Sequence, residues 1–354
     1  MEIRNILVIR FRQMGDMVMA TPLLDTLHLN YPHANIDLIL NARIAPLFEG
    51  HPSVNRIITF TDEERHHAIT FIKKVWQTVH QTHYDAIIDM RSTLNTMLFS
   101  FFSIRTPLRI GVRKSYNWGI FNYRIPGCLP SEAMIDHNLN MTVPLQQKTG
   151  IKHWQQSRKM TLGISDDEKR EFRQYMQQQG IDFSRPVMLA GVTAKLAHKT
   201  WAEERMTKVL QLFIERYPSV QIIFNFAPGK EAENAGRIYQ KLGQHPNIFL
   251  NIEAKSMRLL AAMSANCTFY FGNEGGARHI IQAMGRPSFV VCSPAASKTT
   301  WLPENDEIPT RGLAPTDIDP DAMSLPYDQQ YHLITAERVW QELQAFCSLI
   351  QIDK

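Results

Sequence analysis

No stretch of the sequence reaches the roughly 18 consecutive apolar residues that a membrane-spanning helix needs. Cysteine is scarce: Cys128, Cys267, Cys292 and Cys347 lie far apart, form no Cys-x-x-Cys pair, and the last three fall in apolar runs. That pattern argues against a disulfide framework or a zinc ribbon and reads as buried thiols in a reducing compartment. A strong charge of one sign is also missing. With 38 Lys and Arg against 34 Asp and Glu the formal charge is only +4, too mild to imply a nucleic-acid partner. No Gly-x-Gly-x-x-Gly follows a strand, no Gly-x-x-x-x-Gly-Lys-Ser/Thr is present and there is no His-Glu-x-x-His, which argues against a typical NAD dehydrogenase, a P-loop enzyme and a zincin. Thirteen histidines raise the question of a metal, yet pairs such as His66-His67 lack i,i+4 spacing, so no metal site is expected. The opening MEIRNILVIRFRQMGD passes from a short apolar run straight into charged sequence, unlike a signal peptide, and predicts a cytoplasmic protein.

What is present is an alternation. An apolar fraction of 44% over 354 residues supports about two domains with substantial cores. Asn5 to Phe11 (NILVIRF) is apolar without alternation, the mark of a strand buried on both faces. A helical pattern follows to Asn30, with Pro22 either kinking it or sitting at N1 behind Thr21. Ile36 to Leu40, a helix around His67 to His80, and Ala86 to Met90 continue the series. The grammar restarts after a capping box at Ser165 and Glu168: strand Val187 to Val192, a helix capped by Thr200 with Glu203, strand Gln221 to Phe226, a helix from Lys230, strand Cys267 to Gly272, then helix Ala277 to Met284. The predicted class is α/β, two Rossmann-like doubly wound domains facing across a cleft, with boundaries at 1–165 and 166–330. In the remaining 331–354, Val339, Leu343, Phe346 and Ile350 share a helical face, which either returns to the first domain or packs on its own.

Three strand-to-helix loops carry unusual residues. Such loops are where open α/β sheets bind ligands, because helix N-termini offer free N–H groups and a positive dipole end. Arg12-Gln13-Met14-Gly15-Asp16 sets a carboxylate at a helix start, either for chemistry or as a cap. Thr193 to Trp201 surrounds a strand exit with Lys195, His198 and Lys199, as phosphate ligands or as solvated cations. Asn273-Glu274-Gly275-Gly276-Ala277-Arg278-His279 places paired glycines before a helix, to bare N–H groups toward a pyrophosphate or simply to turn tightly. A fourth feature is a charge imbalance. From Arg91 to Pro130 six Lys and Arg, among them Arg109 and Arg113, stand among aromatic residues with no Asp or Glu, suiting either an anionic lipid-linked acceptor or an ordinary solvated face.

Together these loops resemble glycosyltransferase family 9, the lipopolysaccharide core heptosyltransferases. ILVIRFRQMGDMVMATPLLDTL is similar to that family's strand, Gly-Asp and Thr-Pro helix; Lys199-Thr200-Trp201 to its Lys-x-Trp; Gly229-Lys230-Glu231 to its Gly-x-Glu; and Glu274 to His279 to its acidic-x-Gly-x-x-His. The resemblance implies a GT-B fold and inverting transfer from a nucleotide sugar, ADP-heptose by analogy, to a lipopolysaccharide or lipid A-core acceptor, without metal or other cofactor and with peripheral inner-membrane contact. It implies Asp16 as the base, Thr193 and Lys199 on donor phosphate, Glu231 on the ribose, and Gly275, Gly276 and His279 on pyrophosphate and sugar. Arg12, Arg109 and Arg113 are the acceptor candidates. Where the family has Asp followed by Thr or Ser, this chain has Glu274-Gly275, one hydroxyl fewer and a carboxylate one methylene longer. An epimerase of similar fold and a nucleotide-sugar binder without catalysis are the alternatives.

Overall fold

The computed structural model describes residues 1–302 and 307–352. It divides into two compact units, Met1–Ile164 and Ser165–Lys354. The division thus falls within one residue of the expected boundary, and the segment from 331 belongs to the second unit.

The first unit is a parallel sheet of β1 (Asn5–Ile9), β2 (Asn35–Asn41), β3 (Arg56–Phe60), β4 (Ala86–Asp89), β5 (Leu108–Val112) and β6 (Tyr123–Ile125), in the order β3-β2-β1-β4-β5-β6. Its main helices are α1 (Met14–Val18), α2 (Thr21–Asn30), α3 (Ala68–Gln81) and α4 (Leu94–Phe101). The single helix expected before Asn30 is two: Pro22 falls at the second position of α2, and the Thr21 hydroxyl donates to the Val18 carbonyl rather than capping. Leu7 and Ile9 of β1 point into a cluster with Phe60, Phe71 and Phe99. The Phe60 ring lies 5.4 Å from Phe71 and 5.9 Å from Phe99. That contact sets α3 and α4 side by side on one face of the sheet, as right-handed crossovers from β3 to β4 and from β4 to β5 require.

The second unit repeats the plan with β7 (Val187–Gly191), β8 (Gln221–Phe224), β9 (Ile248–Phe249), β10 (Phe269–Asn273), β11 (Ser288–Val291) and β12 (Thr310–Leu313), ordered β12-β11-β10-β7-β8-β9. Helices α5 (Asp166–Gln178), α6 (Glu203–Arg216), α7 (Lys230–Lys241), α8 (Met257–Ala265), α9 (Gly276–Ala283) and α10 (Ala336–Leu349) cover it. Read from its own first strand, each sheet has the doubly wound order 3-2-1-4-5-6, so each has a switch point between its first and fourth strands. At the second one, Gly191 of β7 stands opposite Gly272 of β10. A Cβ at Gly272 would overlap the Gly191 backbone and one at Gly191 would overlap the Tyr270 hydroxyl, so both positions need glycine. The C-terminal helix α10 buries Val339, Leu343 and Phe346 in this unit's own core, with the Phe346 ring 6.2 Å from Phe269 and 5.8 Å from Phe289. Its apolar face is therefore spent inside the second unit, where the strands leave the groove it fills.

Candidate active site

In the first unit the chain leaves β1 through Arg10, Phe11 and Arg12 and enters α1 at Met14. Asp16 is the third residue of α1, and the N-cap position belongs to Gln13, which makes no side-chain cap. The capping alternative for Asp16 is therefore not realised. Its Oδ1 accepts from Arg12 Nε at 2.9 Å and lies 3.6 Å from Arg10 Nη2, with only 12% of the side chain exposed. Arg10 is buried and donates to the Met90 carbonyl at 2.9 Å. Burial pulls its pKa down to about 10, against the opposing pull of Asp16. A carboxylate so held is aimed by two guanidiniums beyond a strand end, the position a proton acceptor needs.

The three candidate acceptor arginines part company. Arg12 holds Asp16. Arg113 is exposed on the turn between β5 and β6. Arg109 is a correction: it is buried, and its guanidinium donates to the carbonyls of Ile120, Ile104 and Thr106. It closes a loop that would otherwise leave carbonyls unpaired. Arg65, which the sequence reading passed over, and Arg91, the first residue of its basic stretch, line a cavity of about 430 Å³ in this unit.

In the second unit the switch point gathers residues from three connections, those that follow β7, β8 and β10. The Thr193 hydroxyl, beyond β7, donates to Glu231 Oε2 at 3.1 Å, and Glu231 stands in the first turn of α7. Lys199 Nζ lies 3.2 and 3.4 Å from the two oxygens of Glu274. Gly275, in fully extended backbone, is the N-cap of α9, which starts at Gly276. His279 is buried one turn further on; burial first, then Arg278 and Lys199, hold its pKa well below the ordinary imidazole value, so the ring is neutral. One expected cap is corrected here. Thr200 does not cap α6, whose N-cap is Ala202; its hydroxyl instead accepts from the Ala194 N–H and donates to the Ala194 carbonyl, closing the 194–200 loop on itself.

Sequence reasoning missed what locks this arrangement. The side chain of Asn273, last residue of β10, accepts from the Trp201 N–H at 2.7 Å and donates to the Gly191 carbonyl at 2.9 Å. Trp201 is fully buried and its indole donates to the Ile334 carbonyl, while the Tyr331 hydroxyl donates to the Lys199 carbonyl. The lysine loop is thus pinned to β10 on one side and to the C-terminal segment on the other. A polar residue ending an apolar strand was the available signal. Among the described residues one group has metal-ligand chemistry, Cys128 with Glu132 and His137 in the first unit. There Glu132 already accepts from the Leu129 N–H and from Asn140, and Arg10 and Lys114 set positive charge against His137, so the group closes a loop.

The model of glycosyltransferase family 9 (heptosyltransferase) matches residues 72–307. This chain belongs to that family. The matched span holds Lys199, Glu231, Glu274 and His279, while the Asp16 loop precedes it. Lipopolysaccharide heptosyltransferase 3 of Escherichia coli is 24% identical over 231 residues, 62% of this chain and 62% of that protein. Lipopolysaccharide heptosyltransferase 2 of the same organism is 26% identical over 311 residues, 84% of each. The solved structure of E. coli ADP-heptose lps heptosyltransferase II superposes with a TM-score of 0.72 at 22% identity, covering 99% of this chain and 100% of that one. The fold is therefore GT-B, and the protein is a glycosyltransferase. In this glycosyltransferase the two switch points hold different chemistry, a carboxylate among guanidiniums in one unit and an ammonium beside a glycine-led helix start in the other.

Proposed function

We propose that this glycosyltransferase moves heptose from ADP-heptose onto the core of a lipopolysaccharide-type acceptor, with inversion and without a metal. The observation that carries the reading is the assembly of Thr193, Lys199, Glu231 and the bare start of α9 at one switch point, a set suited to a nucleoside diphosphate. In the reaction the acceptor hydroxyl oxygen bonds to the anomeric carbon as the bond from that carbon to the diphosphate oxygen breaks. The hydroxyl proton passes to Asp16. The charge that develops on the departing ADP meets the Lys199 ammonium and the N–H groups at Gly275 and Gly276, while His279, neutral, adds an N–H donor without adding charge. We assign Glu231 to a ribose hydroxyl and Glu274 to a hydroxyl of the sugar. Incubation with ADP-heptose and, separately, UDP-sugars, each with and without a core acceptor and with EDTA, is the test. Transfer from ADP-heptose that survives EDTA is expected. Isomerisation of a UDP-sugar without acceptor overturns the transferase reading, and strict recovery by Mg²⁺ or Mn²⁺ overturns the metal-free site.

The acceptor reading includes peripheral contact with an anionic membrane on the cytoplasmic side. No helix of the described structure is long and apolar enough to cross a membrane. However, α3 leaves Ile69, Ile72 and Trp76 exposed on one stripe, and α4, beside it on the same face of the sheet, exposes Leu94 and Phe101 ahead of Ile104. From Arg65 to Pro130 the carboxylates are Asp85, which accepts from the backbone at Arg4 and Asn5, and buried Asp89. Lys73 and Arg105, next in sequence to Ile72 and Ile104, are exposed, as are Arg113 and Lys114 on the β5–β6 turn; cations and apolar side chains so mixed suit a lipid interface. Sedimentation with phosphatidylglycerol vesicles should carry the protein down far better than with phosphatidylcholine. Ile72→Asp with Trp76→Asp should abolish it; equal binding before and after the change removes this surface from the proposal.

A further inference from the structure

The arch of the lysine loop, residues 195–198, is exposed, and Lys199 follows at its end with its ammonium against Glu274. Inside the arch the backbone bonds are those of one tight turn, from the Lys199 N–H to the Leu196 carbonyl and from the Thr200 N–H to the Ala197 carbonyl. Two phenols from the C-terminal segment take the carbonyls that come next. The Tyr327 hydroxyl donates to the His198 carbonyl at 2.8 Å and, its proton so used, accepts from the Ser293 hydroxyl at 3.1 Å. The Tyr331 hydroxyl donates to the Lys199 carbonyl at 3.0 Å. A peptide unit is planar, so holding the carbonyls of 198 and 199 holds the two planes that meet at the Lys199 Cα. The direction of the Lys199 Cβ is then set before its side chain makes any contact.

The platform that carries the phenols is itself fixed. Tyr327 and Tyr331 stand four residues apart on the short helix Tyr327–Leu333, so they share a face, with their rings 6.4 Å apart and 24° from parallel. At the end of that helix Arg205 of α6 donates from Nη1 to the carbonyls of Tyr331, His332 and Ile334, and the Trp201 indole donates to Ile334 as well. A cation closing the last carbonyls of a helix is a favourable end to it. The Tyr331 ring belongs to the core of the second unit, and burial raises its pKa, so the phenol stays a donor at any working pH. Phenylalanine at 327 and 331 would cover the same apolar surface. What the two hydroxyls add is the hold on consecutive carbonyls around Lys199.

We infer that Tyr331 and Tyr327 are positioning residues for the donor diphosphate, their hydroxyls orienting the peptide planes on either side of Lys199 and so aiming its ammonium. The inference deepens the transfer reading and rests on its assignment of Lys199 to the diphosphate. Calorimetry with ADP on Tyr331→Phe, Tyr327→Phe, Lys199→Ala and the combination of Tyr331→Phe with Lys199→Ala is the test. A neutral hydrogen bond is worth roughly 2- to 12-fold, so each tyrosine variant should weaken ADP by about 3- to 10-fold. Adenosine, which carries no phosphate, should bind the wild type and the tyrosine variants alike by NMR titration. Once Lys199 is alanine, adding Tyr331→Phe should cost less than twofold more, because the residue that the hydroxyl serves is gone. A tyrosine that only docks the C-terminal segment would lower Tm and show none of this dependence on Lys199. Should Tyr331→Phe fail to fold, the half-exposed Tyr327 carries the same comparison. Unchanged ADP affinity in the folded tyrosine variants, equal losses for ADP and adenosine, or an undiminished loss in the alanine background overturns the inference and leaves Lys199 on the diphosphate. Unchanged ADP affinity in Lys199→Ala removes that assignment and this inference with it.

Discussion

Asp16→Asn is expected to leave a folded protein whose kcat falls by about 10²- to 10⁴-fold, the range seen when a general base is removed. Asparagine keeps the shape of the side chain and an oxygen for Arg12 Nε, but cannot take the acceptor proton. Because Asp16 does not cap α1, no helix start is lost. Some stability is. Buried Arg10 loses its carboxylate neighbour at 3.6 Å while keeping the Met90 carbonyl, which puts the cost at about 1–3 kcal/mol and lowers Tm by a few degrees. Nucleotide affinity should be unaffected, since the donor residues lie in the other unit. A combination of lowered Tm, normal ADP binding and nearly absent turnover identifies the base; near-normal transfer by the variant shows Asp16 to be a structural partner of the two arginines.

The second large effect is expected at Lys199. Lys199→Ala should lower kcat/KM by about 30- to 150-fold, since an ammonium on a partly desolvated phosphate is worth on the order of 2–3 kcal/mol in ground and transition state together. The structure adds a condition. Lys199 is held by Glu274 at 3.2 Å, so the alanine variant also frees a carboxylate beside the phosphate position. Glu274→Gln separates the two contributions. It should leave ADP affinity unchanged or slightly tighter, because Lys199 is released from its anion, while the gain in affinity from ADP to ADP-heptose shrinks. Calorimetry with both ligands on both variants reads this directly. A change below threefold for Lys199→Ala returns that lysine to solvent, and equal losses for ADP and ADP-heptose in Glu274→Gln place Glu274 on the nucleotide.

The strands could be read from sequence because β1, β7 and β10 are buried on both faces, and such burial demands unbroken apolar runs. The loops were legible where a local rule decides them: Ser165 with Glu168 caps α5. Thr200 with Glu203 obeys the same rule and fails, because a carbonyl six residues back competes for the hydroxyl. Arg109 illustrates a different limit. Nothing in its neighbourhood announces that turns at 104–106 and 120 will present three carbonyls to it. The bridging role of Asn273 was not legible because it arises only when strands far apart in sequence become neighbours.

In each unit the fourth strand ends in a buried polar residue, and the two differ by one functional group. Asp89 can only accept, so it gathers N–H groups two and three residues ahead and curls its own loop. Asn273 accepts and donates, and so staples residues 72 and 82 positions behind it. The loop at Asp89 is therefore folded first by its own strand end and only then tied to Val112 and Tyr116 through Ser92. The loop at Lys199 exists only once distant segments have met, and a change there must satisfy partners scattered along the chain.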